Sequence, residues 1–264
     1  MEDFLVCLDV SRNFGDNNFS DKLMKTFVVG DIHGGLKALE QVLESTPFSK
    51  KDRFIFLGDY VDGWSESAPV IAFLLKFSEH HKCIFLRGNH DELLTDYLES
   101  GIPKPMWLEH GGVSGKKSYD ALDEHEKQHH IMFFRNLENY YIDTKNRLYC
   151  HAGFTNPYGP AHEYYANTVY WDRTLWEMVC SLDTKLRLDD QKYPRRLKNF
   201  NEIYIGHTPT TKIGRTEPTN FANVWNIDTG AAFMGPLTII DVDTKEYWQS
   251  ELVKNLYPNE KGRN

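Results

Sequence analysis

Cysteine is scarce in this 264-residue chain and its spacing carries no motif: Cys7, Cys83, Cys150 and Cys180 form no C-x-x-C pair. That removes a dithiol redox motif and a cysteine-rich zinc site. Cys83 and Cys150 lie in apolar, strand-like runs, so buried free thiols are expected there. No apolar run approaches the roughly 20 residues that cross a bilayer. The N-terminus also lacks a basic stretch followed by an apolar one. No membrane partner is therefore expected, and the expected location is the cytoplasm. Positive charge is in deficit, with 30 Lys and Arg against 38 Asp and Glu and a formal net charge of −8. Binding along a nucleic-acid backbone rests on neutralisation by Lys and Arg, so no nucleic-acid partner is expected. A small anion held at a local positive centre remains compatible with that balance. Repeats and low-complexity segments are missing as well.

The composition that is present, 41% hydrophobic and 26% charged, is that of a globular chain with a sizeable core. Residues 1–23 have no clean periodicity and read as an N-terminal extension ahead of a domain spanning 24–252. From Thr26 onward the pattern is strand, glycine turn, helix, repeated. The apolar runs "TFVVGD", "RFIFLGD" and "CIFLRGNHD" each stop at a glycine followed by polar residues. Between them, Leu36, Leu39, Val42 and Leu43, then Val70, Ile71, Leu74 and Leu75, recur at helical spacing. Such alternation predicts a buried, largely parallel sheet, with polar residues gathered at the strands' carboxyl ends where open α/β sheets build sites. Strand signals return in "RLYCHAG", "EIYIGHTP" and "VWNIDTG", and "LTIIDV" with "EYWQS" reads as a closing hairpin. Two stretches break the rhythm, about 101–145 and 155–200, and these are insertions and lid candidates. The tail 253–264 is expected to fray.

Five strand-end clusters hold residues that bind metals: "GDIHG" (Asp31, His33), "GDYVD" (Asp59, Asp62), "GNHD" (Asn89, His90), "HAG" (His151) and "GHTP" (His207). Asp31 and His33 are two apart, so an extended backbone turns both to one side. Carboxylates, imidazoles and an amide oxygen form a mixed set suited to Mn, Fe or Zn. A carboxylate such as Asp59 can bridge two metals about 3.5–4 Å apart. Singly, a Gly-Asp at a strand end is a turn or cap, and a lone histidine is structural. Five such clusters in this order are a site. His80, His81, His125, His129 and His130 lie in polar helical stretches and read as solvated surface.

Taken together these motifs resemble the calcineurin-like metallophosphoesterases, and within them the PPP-type phosphatases of the bacterial and phage branch, relatives of symmetrical diadenosine tetraphosphatase. The resemblance covers about residues 26–250. It implies an α/β fold, a metallophosphoesterase-type αββα sandwich, and two divalent metal ions, Mn²⁺ first among the candidates. By motif, Asp31 and His33 would bind one metal, Asp59 would bridge, and Asn89, His151 and His207 would complete the other. His90 would be the general acid, oriented by Asp62. The resemblance also implies direct transfer to a water whose pKa the metals lower, with no phosphoenzyme.

One departure stands out. Where the resemblance expects an arginine on phosphate after Asp62, this chain has Gly63 followed by Trp64. Arg173, in "YWDRTLW", is the preferred substitute, Arg87 is expected to support the site, and Arg215 reads as solvated. Losing a charge-assisted contact costs about 1.5–3 kcal/mol, enough to change substrate preference without ending the chemistry. Gly63 and Trp64 could instead make room or offer an indole for stacking. On sequence the leading reading is a phosphomonoesterase acting on phosphoserine, phosphothreonine or a small phosphoester. The alternative is a dinucleoside tetraphosphate or other nucleotide hydrolase, with Tyr158, Tyr164, Tyr165, Tyr170, Trp171 and Trp176 available to stack on a base. A catalytically dead binding module is disfavoured because every metal-ligand position is filled.

Overall fold

A computed structural model of the chain describes residues 24–263; the expected extension 1–23 lies outside them. The strands form two five-stranded mixed sheets. In the first, β1 (Thr26–Val29), β2 (Arg53–Phe56) and β3 (Lys82–Phe85) run parallel. It is completed by β9 (Pro236–Asp241), antiparallel to β1, and β10 (Tyr247–Leu252), the expected closing hairpin. The second sheet has β4 (Tyr140–Ile142), β5 (Arg147–Cys150), β6 (Glu202–Ile205), β8 (Val224–Asn226) and β7 (Thr219–Phe221) in spatial order. Its central strands β5, β6 and β8 are parallel. The helices are α1 (Leu36–Ser45), α2 (Ser67–Ser78), α3 (Asn89–Ser100), α4 (Pro105–Trp107), α5 (Val113–Asp120), α6 (Glu124–Arg135), α7 (Thr168–Trp171), α8 (Thr174–Cys180) and α9 (Val253–Leu256).

Period-two alternation assigns each strand residue to a layer. Phe27, Val29, Phe54 and Phe56 face α1 and α2, where Leu39, Val42, Val70, Ile71 and Leu74 are buried against them. Their neighbours Val28, Ile55 and Leu57 turn inward and meet Tyr149, Tyr204, Ile227 and Ile240 between the two sheets. Leu148, Cys150, Ile203 and Ile205 face outward again and receive Leu175, Trp176 and Val179 of α8. Each such buried side chain contributes about 1.5–3 kcal/mol of transfer free energy, and the order of layers is helix, sheet, sheet, helix. The αββα sandwich is therefore the observed fold. Every strand run read from the sequence is present; β4 and β7, three residues each at sheet edges, carry too little pattern to be found that way.

Four expectations are corrected. His130 is only 6% exposed, packed with Nδ1 3.1 Å from the Tyr119 hydroxyl. His81 stacks on Phe77 at 4.3 Å; like His130, it uses one apolar ring face that a polar count overlooks. Trp64 is fully buried, its indole donating to the Ala231 carbonyl at 2.7 Å and lying 5.3 Å from the Tyr257 ring. It stacks on the protein and cannot stack on a substrate. Finally, 253–263 does not fray: Val253 and Tyr257 are buried, Glu260 accepts from the backbone and hydroxyl of Ser65, and Arg263 N–H donates to Ala232 at 2.8 Å. We refer to this segment as the strap. Cys150 is a buried thiol as expected, Cys83 is half-buried, and Cys180 is exposed.

Candidate dinuclear metal centre

The loops leaving β1, β2, β3, β5 and β6 converge at one edge of the sandwich, because parallel strands in both sheets end on the same side. Backbone geometry there is unusual. Among the described residues, His33, Asp59, Asp62 and His207 all have positive φ, between 51° and 72°. Non-glycine residues adopt this region at a cost and cluster in it at functional sites. The Asp91 carboxylate braces the arrangement, accepting from the N–H groups of Asp59 at 2.8 Å, Tyr60 at 2.9 Å and Gly88 at 2.9 Å.

Two triads of buried ligand atoms result, Asp31–His33–Asp59 and Asp59–His151–His207, each with its atoms within 4.8 Å of one another. Asp59 is common to both, as a bridging carboxylate must be. Asn89 joins the second triad, its Oδ1 lying 2.9 Å from His207 Nδ1 and 3.2 Å from His151 Nε2.

The residues fit a pair of cations. His33 Nδ1 lies 3.1 Å from the Val61 carbonyl and His151 Nδ1 2.9 Å from that of Leu57, so each Nδ1 is the donor and each Nε2 lone pair faces the cluster. Asp31 Oδ1 and His207 Nε2 are buried without a partner. Among the described residues, Asp31 and Asp59 have no Lys or Arg ion pair, only histidines at 3.4–3.9 Å. Burial pushes Asp31 well above the usual carboxylate range, and Asp228 adds to the effect. Burial would raise Asp59 too, but His151 and His90 outweigh it and hold its carboxyl low. His151 is lifted to about 9 against burial by Asp59 and Asp31. Buried, mutually repelling carboxylates with unpaired oxygens are stabilised by bound positive charge.

Above this floor, His90 Nδ1 lies 2.7 Å from Asp62 Oδ2. The same oxygen accepts from the indole of Trp107 at 2.6 Å. Burial drives both members toward neutral forms, raising Asp62 to about 8 and lowering His90 to about 3. A recess of about 40 Å³ opens over the cluster, lined by Asn89, His90, Arg173, His207, Lys212 and Arg263 among others. Arg173 is exposed and its Nη1 is 3.5 Å from Thr208 Oγ1, placing the guanidinium at the recess rim. Arg87 points elsewhere, with Nη2 3.4 Å from the Leu137 carbonyl, and ties the end of β3 to the segment before β4. Arg215 pairs with Glu217 at the surface.

The sequence reading missed four contributors. Asp228, buried beside Asp31, follows strand β8 and carries the same strand-end signature as the ligands. Trp107 and Arg263 had no local signal, since only folding brings their segments to the site; Lys212 follows His207 by five residues in the same loop.

Fold and site define a metallophosphoesterase. The calcineurin-like phosphoesterase family profile matches residues 24–232, and the chain belongs to that family, which depends on a dinuclear metal centre. The chain is 27% identical over 234 residues to the asymmetrical bis(5'-nucleosyl)-tetraphosphatase PrpE of Bacillus anthracis (strain CDC 684 / NRRL 3495), covering 82% of this chain and 90% of that protein. Among solved structures it is similar in fold to a candidate diadenosine tetraphosphatase (TM-score 0.59, 16% identity, 87% and 94% of the two chains). It is similar also to a protein serine/threonine phosphatase of Saccharomyces cerevisiae (TM-score 0.57, 16% identity, 93% and 85%). No helix among the described residues is long and apolar enough to cross a membrane.

Proposed function

We propose that the protein hydrolyses a nucleoside polyphosphate, with Asp31, His33, Asp59, Asn89, His151 and His207 holding two divalent cations, Mn²⁺ in the first instance. What carries the reading is the way two cavities adjoin. The 40 Å³ recess over the ligands has room for a phosphoryl group's oxygens and little else. It shares Arg263 with a groove of about 670 Å³ between the first insertion and the strap, lined by Leu108, Val113, Ser114, Lys117 and Ser118 among others. A volume of that size, with apolar walls and a few polar groups, suits a nucleoside. Arg173, Lys212 and Arg263 place three positive centres around the recess, more than a single phosphate needs. Similarity to proteins named as dinucleoside tetraphosphatases points the same way.

When bound, the two cations supply an activated water and neutralise charge on the phosphoryl oxygens. The chain's own residues do the rest. Arg173 offers a planar pair of N–H donors to non-bridging oxygens. Asp62 holds His90 by Nδ1, leaving Nε2 to carry a proton to the departing oxygen, and Trp107 fixes the Asp62 carboxyl. This last feature favours a second reading, the phosphoserine or phosphothreonine monoesterase, because an alkoxide leaving group requires that proton far more than a phosphate does.

Metal-stripped protein reloaded with Mn²⁺ and given diadenosine tetraphosphate, p-nitrophenyl phosphate and a phosphoserine peptide tests both. Higher kcat/KM on the dinucleotide, with ATP and AMP or two ADP identified as products, supports the proposal. Higher values on the monoesters transfer it to the second reading, and metal binding without turnover of any of the three rejects an enzyme.

A further inference from the structure

We infer that Arg263, delivered by the strap, is a phosphate-binding residue of this site; the inference deepens the phosphoesterase reading and rests on it. Arg263 is distant in sequence from every ligand, yet its Nη1 lies 3.4 Å from His33 Nε2, the nitrogen that faces the first metal triad. It lines the recess together with Asn89, His90, Arg173 and His207. Among the described residues no ion pair joins it to a carboxylate, and its Nε is buried without a partner. An unpaired guanidinium in a partly buried position is costly unless something anionic meets it. Among the described residues no anionic side chain does, although its field reaches Asp62 and Asp228 and opposes the rise of both carboxyls.

Its position is built rather than incidental. The side chain lies over two glycines. A Cβ at Gly111 would come within 2.8 Å of Arg263 Cγ, and one at Gly63 within 3.4 Å. Both glycines have positive φ, 104° and 82°, and they are joined by the Gly63 N–H to Gly111 carbonyl bond at 3.2 Å. The stem is held from the other side, where the guanidinium carbon lies 5.3 Å from the Phe233 ring centroid. The strap itself is anchored by Tyr257 against Trp64, by Glu260 on Ser65 and by the Arg263 backbone on Ala232. Gly63 and Trp64 thus acquire a joint purpose: the first lies under the aliphatic stem of Arg263, and the second is the platform on which the strap docks. With a cation on the His33 lone pair, the guanidinium has no protein acceptor there and faces the volume where phosphoryl oxygens would sit. Lining the same recess as Arg173, it supplies the second arginine of a phosphate clamp.

The test compares wild type, Arg263→Ala and Arg263→Lys, all loaded with Mn²⁺, by calorimetric titration with inorganic phosphate and by kinetics on p-nitrophenyl phosphate and diadenosine tetraphosphate. For Arg263→Ala the phosphate dissociation constant and KM should rise about ten- to a hundredfold, the loss of one charge-assisted contact. Bound Mn²⁺ and melting temperature should be unchanged. Arg263→Lys, which keeps the charge and loses the planar fork, should fall between the two. Unchanged phosphate affinity in Arg263→Ala overturns the inference, as does tighter Mn²⁺ binding with equal phosphate affinity, since the guanidinium would then merely stand in for a cation. Weaker phosphate binding in Arg263→Ala, in a protein that turns over none of the substrates, would uphold Arg263 and sink the hydrolase reading instead.

Discussion

Asp59 is the residue on which the centre turns, because it belongs to both ligand triads and is held in a left-handed conformation that presents it to both. Asn89 and His207 serve only the second triad, so their loss should be selective. Asn89→Ala or His207→Ala should bind one Mn²⁺ per chain where wild type binds two, by elemental analysis after gel filtration. Activity should drop by more than about a hundredfold, beyond what loss of a supporting partner costs. Full stoichiometry and activity in either variant would break the ligand assignment. The arginines separate by position in the same way. Arg173→Ala should raise KM about tenfold or more with little change in kcat, whereas Arg215→Ala, 58% exposed and paired with Glu217, should stay within about twofold. Equal effects would mean that Arg173 does not touch substrate.

At the scale of elements, the first insertion is a wall of the site. Trp107 of α4 holds Asp62, and Ser118 of α5 accepts from the Ala68 N–H of α2 at 3.0 Å. Its stability depends on α6, where His130 is buried under Tyr119 while His125 and His129 face solvent. Burial, with His129 assisting, lowers His130 to about 4, so the folded state resists a proton that the unfolded chain takes up near 6.5. Between those values the unfolded state binds more protons, and stability rises with pH. The contribution of a neutral His130 is complete above about pH 6.5 and is lost as pH falls toward 4. His130→Gln should flatten that part of the urea-midpoint profile, while His125→Gln should leave it as in wild type. Parallel profiles for wild type and His130→Gln would show that this ring is not what acid attacks.

For the whole molecule, the centre is where five loops from two sheets meet, so bound metal ties the sandwich together. Its buried carboxylates repel one another without it. Any ligand bound only by the folded state stabilises by mass action, about 2.7 kcal/mol at a hundred times its dissociation constant. In a chain of 264 residues this corresponds to a melting shift of roughly 5–10 °C. Chelation should lower the melting temperature by that amount and Mn²⁺ should restore it; a melting curve indifferent to chelator would argue against two occupied sites in the folded protein. The strap adds a second tie between distant parts of the chain, since Tyr257 joins α1, through Lys37, to the Trp64 loop.

What the sequence determined by itself was local. Apolar runs ending in or near Gly and a ligand-type residue marked the strands β1, β2, β3, β5 and β6 and the six candidate metal-ligand positions, because strand, turn and ligand-type residue are encoded within a few consecutive residues. Phe27 and Val28 illustrate the limit: alternation says that they face opposite layers, but not that one faces helices and the other a second sheet. Non-local pairing decided the rest. Trp64 could be read as an indole offered for stacking until Tyr257, 193 positions on, covered it, and His130 read as solvated until Tyr119 closed over it. Arg263 lay in a segment with no periodicity, and its place beside His33 exists only because the strap folds back over Gly63 and Gly111. The arginine missing after Asp62 in sequence has a counterpart beside His33 in space, where Arg263 Nη1 lies 3.4 Å from Nε2, since a guanidinium acts through distance to its ligand and not through its position along the chain.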